Sequence, residues 1–504
     1  MESTTFEASP LSSQALIVTV TGYSSGGEGV ARLDDGRVVF IPGAARGDIL
    51  EIKLTQEKAR IAHGEIIKII TPSEHRIAPD CPYYLKCGGC DFRHITYEEE
   101  LWAKLQRVND ALSRIAGLSI KAAEILRTGQ TDGYRNKAVF NYVGGKPAWY
   151  GKHSHDTIPI EHCLLLKDDI NESIETLPQL PDRSKLTVRS GRNGITVSNQ
   201  IMSNHTERES RPVSNNKAAQ KRTTQSTLEQ RTAMLFESAQ NKSEQIKAIQ
   251  RIPGQLESAQ PKPAQLSSSS LEEELDGLVF GISGFFQVNT EAALLLYNKA
   301  REYAALTKSE TLVDLYCGVG SLTLFVGRDA GSAIGVELER ASIKKARDNA
   351  RRNNLKNIEF ICADAASDWD SEATDTNSVS VPEPSMKVRS ASSSKHTEIL
   401  KPSATVASKI TLSKITLSKT KLNPDCIIID PPRKGLSPAA LQKILALNPS
   451  RIVYVSCDPA TLARDLKALD GYSASKICAV DMFPRTANVE TVVLLSKQNS
   501  ASLD

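Results

Sequence analysis

The chain has 504 residues, 24% of them charged and 40% hydrophobic, with a formal net charge of +3. This is ordinary globular composition with length for two to four domains, and the near-neutral balance means that any nucleic-acid surface must be a local basic patch. No apolar run approaches the ~18 residues of a membrane span, Met1-Glu-Ser-Thr-Thr-Phe lacks the basic-then-apolar form of a signal peptide, and nine cysteines without an export signal fit a reduced, cytoplasmic compartment. No membrane and no obligate protein partner is implied.

From Ala15 to about Ile70 short apolar runs alternate with turn residues: Leu16-Ile-Val-Thr-Val, then Gly26-Gly-Glu-Gly29, Val38-Val-Phe-Ile41 and Asp48-Ile-Leu-Glu-Ile52. About five short strands with glycine turns predict a small β-barrel. The run Gly22-Tyr-Ser-Ser-Gly-Gly-Glu-Gly-Val-Ala31, followed by Gly36-Arg-Val-Val-Phe-Ile-Pro-Gly-Ala44, resembles a TRAM domain. The resemblance implies an OB-like RNA-binding barrel at about 10–70.

Cys81-Pro-Tyr-Tyr-Leu-Lys-Cys-Gly-Gly-Cys90 comes next, and Cys163 follows in Pro159-Ile-Glu-His-Cys163. The glycines let the backbone fold tightly around a metal centre. Four thiolates suit a zinc ion or an iron–sulfur cluster, and spacing alone leaves both open. The CxxxCxxC triad of radical enzymes is absent, because five residues separate Cys81 from Cys87.

Helical periodicity follows from Tyr97 to Ile115, with Trp102, Leu105, Val108 and Leu112 on one face. Gly133-Tyr-Arg-Asn-Lys-Ala-Val-Phe140 and Trp149-Tyr-Gly-Lys-His-Ser-His155 set cations beside aromatics. RNA would stack bases on the rings and lay phosphate on the cations, although such a strand edge also fits a solvated face. A central α+β domain is expected at about 71–197. Low-complexity insertions are expected at about 198–270 and 367–421, where Ser, Gln, Asn and Lys replace the apolar pattern.

Residues 271–504 carry a β/α series. Thr311-Leu-Val-Asp-Leu315, Ala333-Ile-Gly-Val-Glu337, Ile358-Glu-Phe-Ile-Cys362, Cys426-Ile-Ile-Ile429 and Ile452-Val-Tyr-Val455 read as buried strands. Gly318 and Gly320 open a helix, Glu337 is placed for ribose hydroxyls and Asp364 for an adenine edge. Thr323 breaks the GxGxxG form, which favours S-adenosylmethionine over a dinucleotide. Cys457 stands between a strand end and a helix N-terminus. Ligands bind at that edge of an open α/β sheet, and a helix N-terminus is expected to favour the thiolate.

Phe285-Phe-Gln-Val-Asn289, Asp314-Leu-Tyr-Cys-Gly-Val-Gly320, Asp430-Pro-Pro-Arg433, Ser456-Cys-Asp-Pro459 and Phe483-Pro-Arg-Thr-Ala-Asn-Val-Glu490 resemble the RNA uracil-5-methyltransferase family. The barrel and the Cys-Gly-Gly-Cys motif are similar to its 23S ribosomal RNA branch. That resemblance implies a Rossmann-like class I methyltransferase domain and methylation of a uridine, with S-adenosylmethionine and a [4Fe-4S] cluster as cofactors. It further implies Gln287, Tyr316, Glu337, Asp364 and Asp430 as cofactor residues, Cys457 as nucleophile and Glu490 as base. Cys81, Cys87, Cys90 and Cys163 would hold the cluster. Asn488 stands where many members have His, and Ser321 where many have Asn; neither is the nucleophile or the base. A tRNA uracil-5-methyltransferase, or a non-catalytic RNA-binding assembly factor, are the rival expectations.

Overall fold

A computed structural model describes residues 15–200, 271–282, 286–370 and 422–498. Phe285 and nearly all of the two expected insertions lie outside the described residues. Among the described residues there are four sheets. The N-terminal one is a closed barrel of β1 (Leu16–Tyr23), β2 (Gly29–Arg32), β3 (Val38–Ile41), β4 (Ile49–Glu57) and β5 (Ile61–Thr71), in the order β1-β2-β3-β5-β4. Val18, Val20, Val39, Ile41, Leu50 and Ile52 fill it, the inward half of a period-two pattern.

Helix α1 (Tyr97–Ala111) is capped by the Thr96 hydroxyl, which accepts from the Glu99 amide. It widens into a π turn over Leu112–Ala116 and stops at Gly117, whose φ of 72° suits glycine. The short β6 (Ile125–Leu126) follows. Then β7 (Lys137–Val143), β8 (Lys146–Tyr150), β9 (Thr157–Pro159), α2 (Asp168–Ser173), β10 (Lys185–Gly191) and β11 (Gly194–Gln200) build an antiparallel sheet ordered β11-β10-β7-β8-β9. A hairpin, β12 (Glu272–Leu275) and β13 (Leu278–Gly281), precedes the catalytic half.

There the order is α3 (Thr290–Ala304), β14 (Thr311–Leu315), α4 (Ser321–Gly327), β15 (Ser332–Glu337), α5 (Arg340–Arg352), β16 (Ile358–Cys362), β17 (Cys426–Ile429), α6 (Pro438–Leu447), β18 (Arg451–Ser456), α7 (Pro459–Ala468), β19 (Tyr472–Val480) and β20 (Glu490–Lys497). The sheet runs β16-β15-β14-β17-β18-β20-β19-β6. Strands β14 to β18 are mutually parallel, and β20 is antiparallel to both neighbours. Parallel strands covered on both faces read as unbroken apolar runs. Leu312, Cys426, Ile428 and Val453 accordingly face one core, and Val313, Ile427, Ile429 and Ile452 the other. The five expected strands are all present. No helix among the described residues is long and apolar enough to cross a membrane.

Three expectations change. The segment 71–197 is not one unit: β6 completes the edge of the catalytic sheet, and Val108, Leu112 and Ala122 join its core. Trp102 does not share the buried face of α1; it is 38% exposed and lies under the Arg46 guanidinium, 4.0 Å from the ring centroid. The physical reason is helical pitch, since six residues turn about 120° away from Val108. Trp369, inside the expected second insertion, is buried in the catalytic core, so the described fold continues through Asp370.

One buried ionic cluster ties the two halves together. Lys104 Nζ on α1 donates to Glu100 Oε1 and to Asp481 Oδ1, each at 2.6 Å, and to the Phe483 carbonyl at 3.1 Å. Tyr97 Oη donates to Asp481 Oδ2 at 2.6 Å. All three charged side chains are fully buried. Removing one partner of such a group strands the others, so Lys104→Ala should lower stability by about 3–5 kcal/mol in chemical denaturation. A loss under about 1 kcal/mol would mean the carboxylates relax into water.

Candidate active site and cysteine cleft

The chain leaves β14 through Tyr316, Gly318 and Gly320, with φ of 69°, 56° and 80°. Glycine adopts these angles freely, whereas a residue such as Tyr316 is held there at a cost of about 1–3 kcal/mol. A Cβ on Gly320 would stand 2.7 Å from the Phe360 ring, and one on Gly335 at 2.6 Å. The glycines therefore press the turn onto β15 and β16. Gly318 N–H donates to Glu337 Oε2 at 3.1 Å, and Glu339 N–H to Oε1 at 2.9 Å. Asp364, just past β16, accepts from the Ala366 amide at 2.9 Å. Its charge lies near enough to add to burial in raising the Tyr316 phenol. Gln287 is buried ahead of α3, and its carbonyl accepts from Asn136 Nδ2 at 3.2 Å.

Asp314 was quoted in a motif but given no task by the sequence. It is fully buried beneath the turn, and Thr323 Oγ1 donates to its Oδ2 at 2.5 Å. Thr323 thus serves the buried acid where the longer glycine motif would have its third glycine. Among the described residues Asp314 Oδ1 has no hydrogen-bond partner, which suits a site completed by a ligand. Burial chiefly, then the charges of Asp430 and Glu337, push Asp314 up to about 8, against the pull of Thr323. Tyr297, also missed, joins Ser321 at 2.9 Å, hydroxyl to hydroxyl. Only contact across the fold reveals it.

The strand ends bring the other candidates together. Ile429 pairs with Tyr454, and Ser456 with Thr491, so the residues leaving β17, leaving β18 and entering β20 are neighbours. Those residues are Asp430, Cys457 and Glu490. Burial pushes Asp430 up to about 7. Burial first, then Asp430, pushes Glu490 up to about 8, with Arg433 opposing. Burial first, then Glu490 and Asp430, pushes the Cys457 thiol up to about 11, again with Arg433 opposing. Burial and the two carboxylates thus oppose the thiolate that the helix N-terminus is expected to favour. Asp458 also takes the first amides of α7, accepting from Ala460 at 3.0 Å and Thr461 at 2.9 Å. Asn488 Oδ1 accepts from Arg433 Nη2 at 3.3 Å, so this departure from the commoner residue holds an arginine at the cleft.

A cleft of about 710 Å³ runs from Cys81, Cys87, Cys90 and Cys163 to Arg433 and Asn488. Arg135, Tyr150, Lys152 and Lys185 also line it, so the cation-and-ring pattern does face the cleft. Burial raises Cys87 to about 11, with Cys163 and Cys81 adding to it. Burial raises Cys90 to about 12, with Cys163 and Cys87 adding to it and Arg93 opposing. The four thiols are thus close enough to feel one another. Among the described residues, however, no three His, Cys, Asp or Glu side chains stand at the spacing of a single metal ion. Neither expected centre, the single zinc ion or the iron–sulfur cluster, has support from this arrangement.

Comparison with known proteins agrees with the layout. The family described as tRNA (Uracil-5-)-methyltransferase matches residues 390–498, the TRAM domain matches 14–67 and a methyltransferase domain matches 306–384. An RNA methyltransferase of Thermosynechococcus vestitus is 32% identical, covering 95% of this chain and 97% of its own length. One from Bacillus cereus is 31% identical, covering 94% of each. Among solved structures, the Pyrococcus abyssi tRNA (uracil-54, C5)-methyltransferase in complex with S-adenosyl-L-homocysteine aligns over 95% of this chain and all of its own, with a TM-score of 0.58 at 20% identity.

The electrostatics make one measurement decisive. Iodoacetamide should label Cys457 slowly near about pH 7, with a rate still rising at about pH 10. Glu490→Gln removes a charge that opposes the thiolate, so at about pH 9 its Cys457 should react about 3–10-fold faster. Peptide mass spectrometry reads both rates, and equal rates would show that the carboxylate does not act on the thiol.

Proposed function

The chain belongs to the RNA uracil-5-methyltransferase family, and on that premise we propose that it methylates carbon 5 of a specific uridine, in 23S ribosomal RNA, through a covalent bond from Cys457. The convergence of Cys457, Glu490 and Asp430 at adjoining strand ends carries this reading. Carbon 5 of uracil is a weak nucleophile. Once the Cys457 thiol has lost its proton to solvent, sulfur addition at carbon 6 pushes electrons toward carbon 5, splitting one difficult step into easier ones. S-adenosylmethionine supplies the electrophilic methyl group when bound. Gln287, Tyr316, Glu337, Asp364 and Asp430 would hold it. The glycine turn against Glu337 and the unpartnered Asp314 oxygen fit such a ligand.

After methylation, carbon 5 still carries its proton. The charged form of Glu490 takes that proton, the C–H electrons close the 5,6 double bond, and the C6–S pair returns to Cys457. A Glu490 raised to about 8 and an Asp430 raised to about 7 exchange protons near neutrality. The target base must leave its stack, at a cost of a few kcal/mol. The cations of the cleft and the N-terminal barrel would hold the flanking RNA in the cytoplasm.

Cys81, Cys87, Cys90 and Cys163 hold a [4Fe-4S] cluster in this proposal. Their shared cleft and mutual charge effects support it. The cluster would join the Cys81–Cys90 loop to Cys163, and methyl transfer does not pass through it. Anaerobic purification should yield iron and acid-labile sulfide, both lost in Cys90→Ser; a colourless zinc protein would overturn this part.

A tRNA target is the second reading, favoured by the description of the matching family. Mapping 5-methyluridine in ribosomal and transfer RNA of a deletion strain decides between them. A non-catalytic assembly factor is separated by trapping. With S-adenosylmethionine, RNA containing 5-fluorouridine should give a covalent complex, because fluorine at carbon 5 cannot leave as a proton does. Cys457→Ala should form none, and Glu490→Gln should retain the methylated adduct on ordinary uridine. No complex from the unaltered chain, with RNA and S-adenosylmethionine both shown to bind, would overturn the mechanism.

A further inference from the structure

The loop that leads into Glu490 is gripped from outside the catalytic sheet. Ala487 N–H donates to Asp91 Oδ2 at 2.9 Å, and its carbonyl accepts from Arg107 Nη1 at 2.7 Å. Just before it, the Arg485 carbonyl accepts from the amides of Asp91 at 2.8 Å and Phe92 at 3.1 Å. Arg485 has a φ of 68°, a strained angle that persists only where surroundings over-determine it. Asp91 follows Cys90 directly. Its second oxygen accepts from Lys152 Nζ at 2.9 Å. Arg107 belongs to α1, and its Nη2 reaches Asp458 Oδ2 at 3.5 Å, on the residue after Cys457. Both backbone polar groups of Ala487 are therefore held by ionised side chains, one from the cysteine loop and one that also touches the nucleophile's segment.

Satisfying a buried backbone needs only some partner. Here the partners come from two distant segments and meet on the short span that sets where Glu490 stands. We propose that Asp91 and Arg107 are positioning residues for the base, fixing Glu490 relative to Cys457 and thereby setting the rate of adduct breakdown. This rests on the function proposed above. Misplacement by about 1 Å costs about 100-fold in such a step. Sulfur addition feels Glu490 only through its charge on the thiol, whereas proton removal needs its oxygen in place, so loss of the grip on the base falls more heavily on breakdown than on formation.

Single-turnover reactions of the full chain with S-adenosylmethionine and in vitro transcripts of 23S ribosomal RNA and of tRNA, quenched into denaturant, read covalent complex and released product separately. Asp91→Ala should raise the ratio of complex to product about tenfold or more, with the rate of complex formation changing by no more than about 3-fold. Asp91→Asn keeps an acceptor for the Ala487 amide and should fall between. Arg107→Met should also raise the ratio. Thermal melting and S-adenosylhomocysteine binding identify variants that fold. Folded variants that keep the original ratio, or that lose complex and product in proportion, overturn the proposal. If Asp91→Ala does not fold, the other two variants decide on the same criterion. Absence of any complex from the unaltered chain on 5-fluorouridine RNA would instead overturn the function on which this rests.

Discussion

Lys104 lies between two carboxylates with no exposed surface on any of the three side chains. Taking such ions out of water costs several kcal/mol each, and their attraction compensates only when geometry is complete. One carboxylate, Glu100, is a turn away on the same helix; the other, Asp481, is 377 residues along the chain. The cluster is therefore satisfied only when α1 docks at the start of the loop to Glu490. Everything else at the cleft depends on that docking: the hold on Ala487, the reach of Arg107 to Asp458, and the placement of the cysteine loop beside Arg433.

The same loss of water shapes the chemistry. Burial raises Asp430, and burial with the charge of Asp430 raises Glu490, so both hold protons near neutrality. Those groups also hold the Cys457 thiol up, and Arg433 is the opposing cation. The proposed chemistry, sulfur addition to a ring and removal of a proton from it, needs groups that exchange protons at working pH. Burial is the largest influence on Asp430, Glu490 and Cys457 alike. The departures at Ser321 and Asn488 are absorbed by local partners, Tyr297 and Arg433.

Much of the fold was legible because its signals are local. The barrel follows from alternation and glycine turns, and the five parallel strands from apolar runs, three of them ending in an acid. Cys457 and Glu490 were legible through short motifs around them. Trp102 was misjudged because a stripe read along the sequence drifts around the helix. The limits of 71–197 were misjudged because β6 has two residues and its partner β19 lies far along the chain. Trp369 was hidden in a polar stretch that reads as linker.

By itself the sequence determined where strands, turns and reactive side chains fall, since periodicity and turn chemistry act over a few residues. Only the tertiary structure decided which of them meet. It showed that Asp314 is a buried acid with one oxygen unpartnered among the described residues, that burial and two carboxylates push the Cys457 thiol up, and that Asp91 and Arg107 hold the loop to Glu490. The reason is physical: protonation and position are set by burial and by charges from distant segments. Neither leaves a mark on the residues next door in the chain.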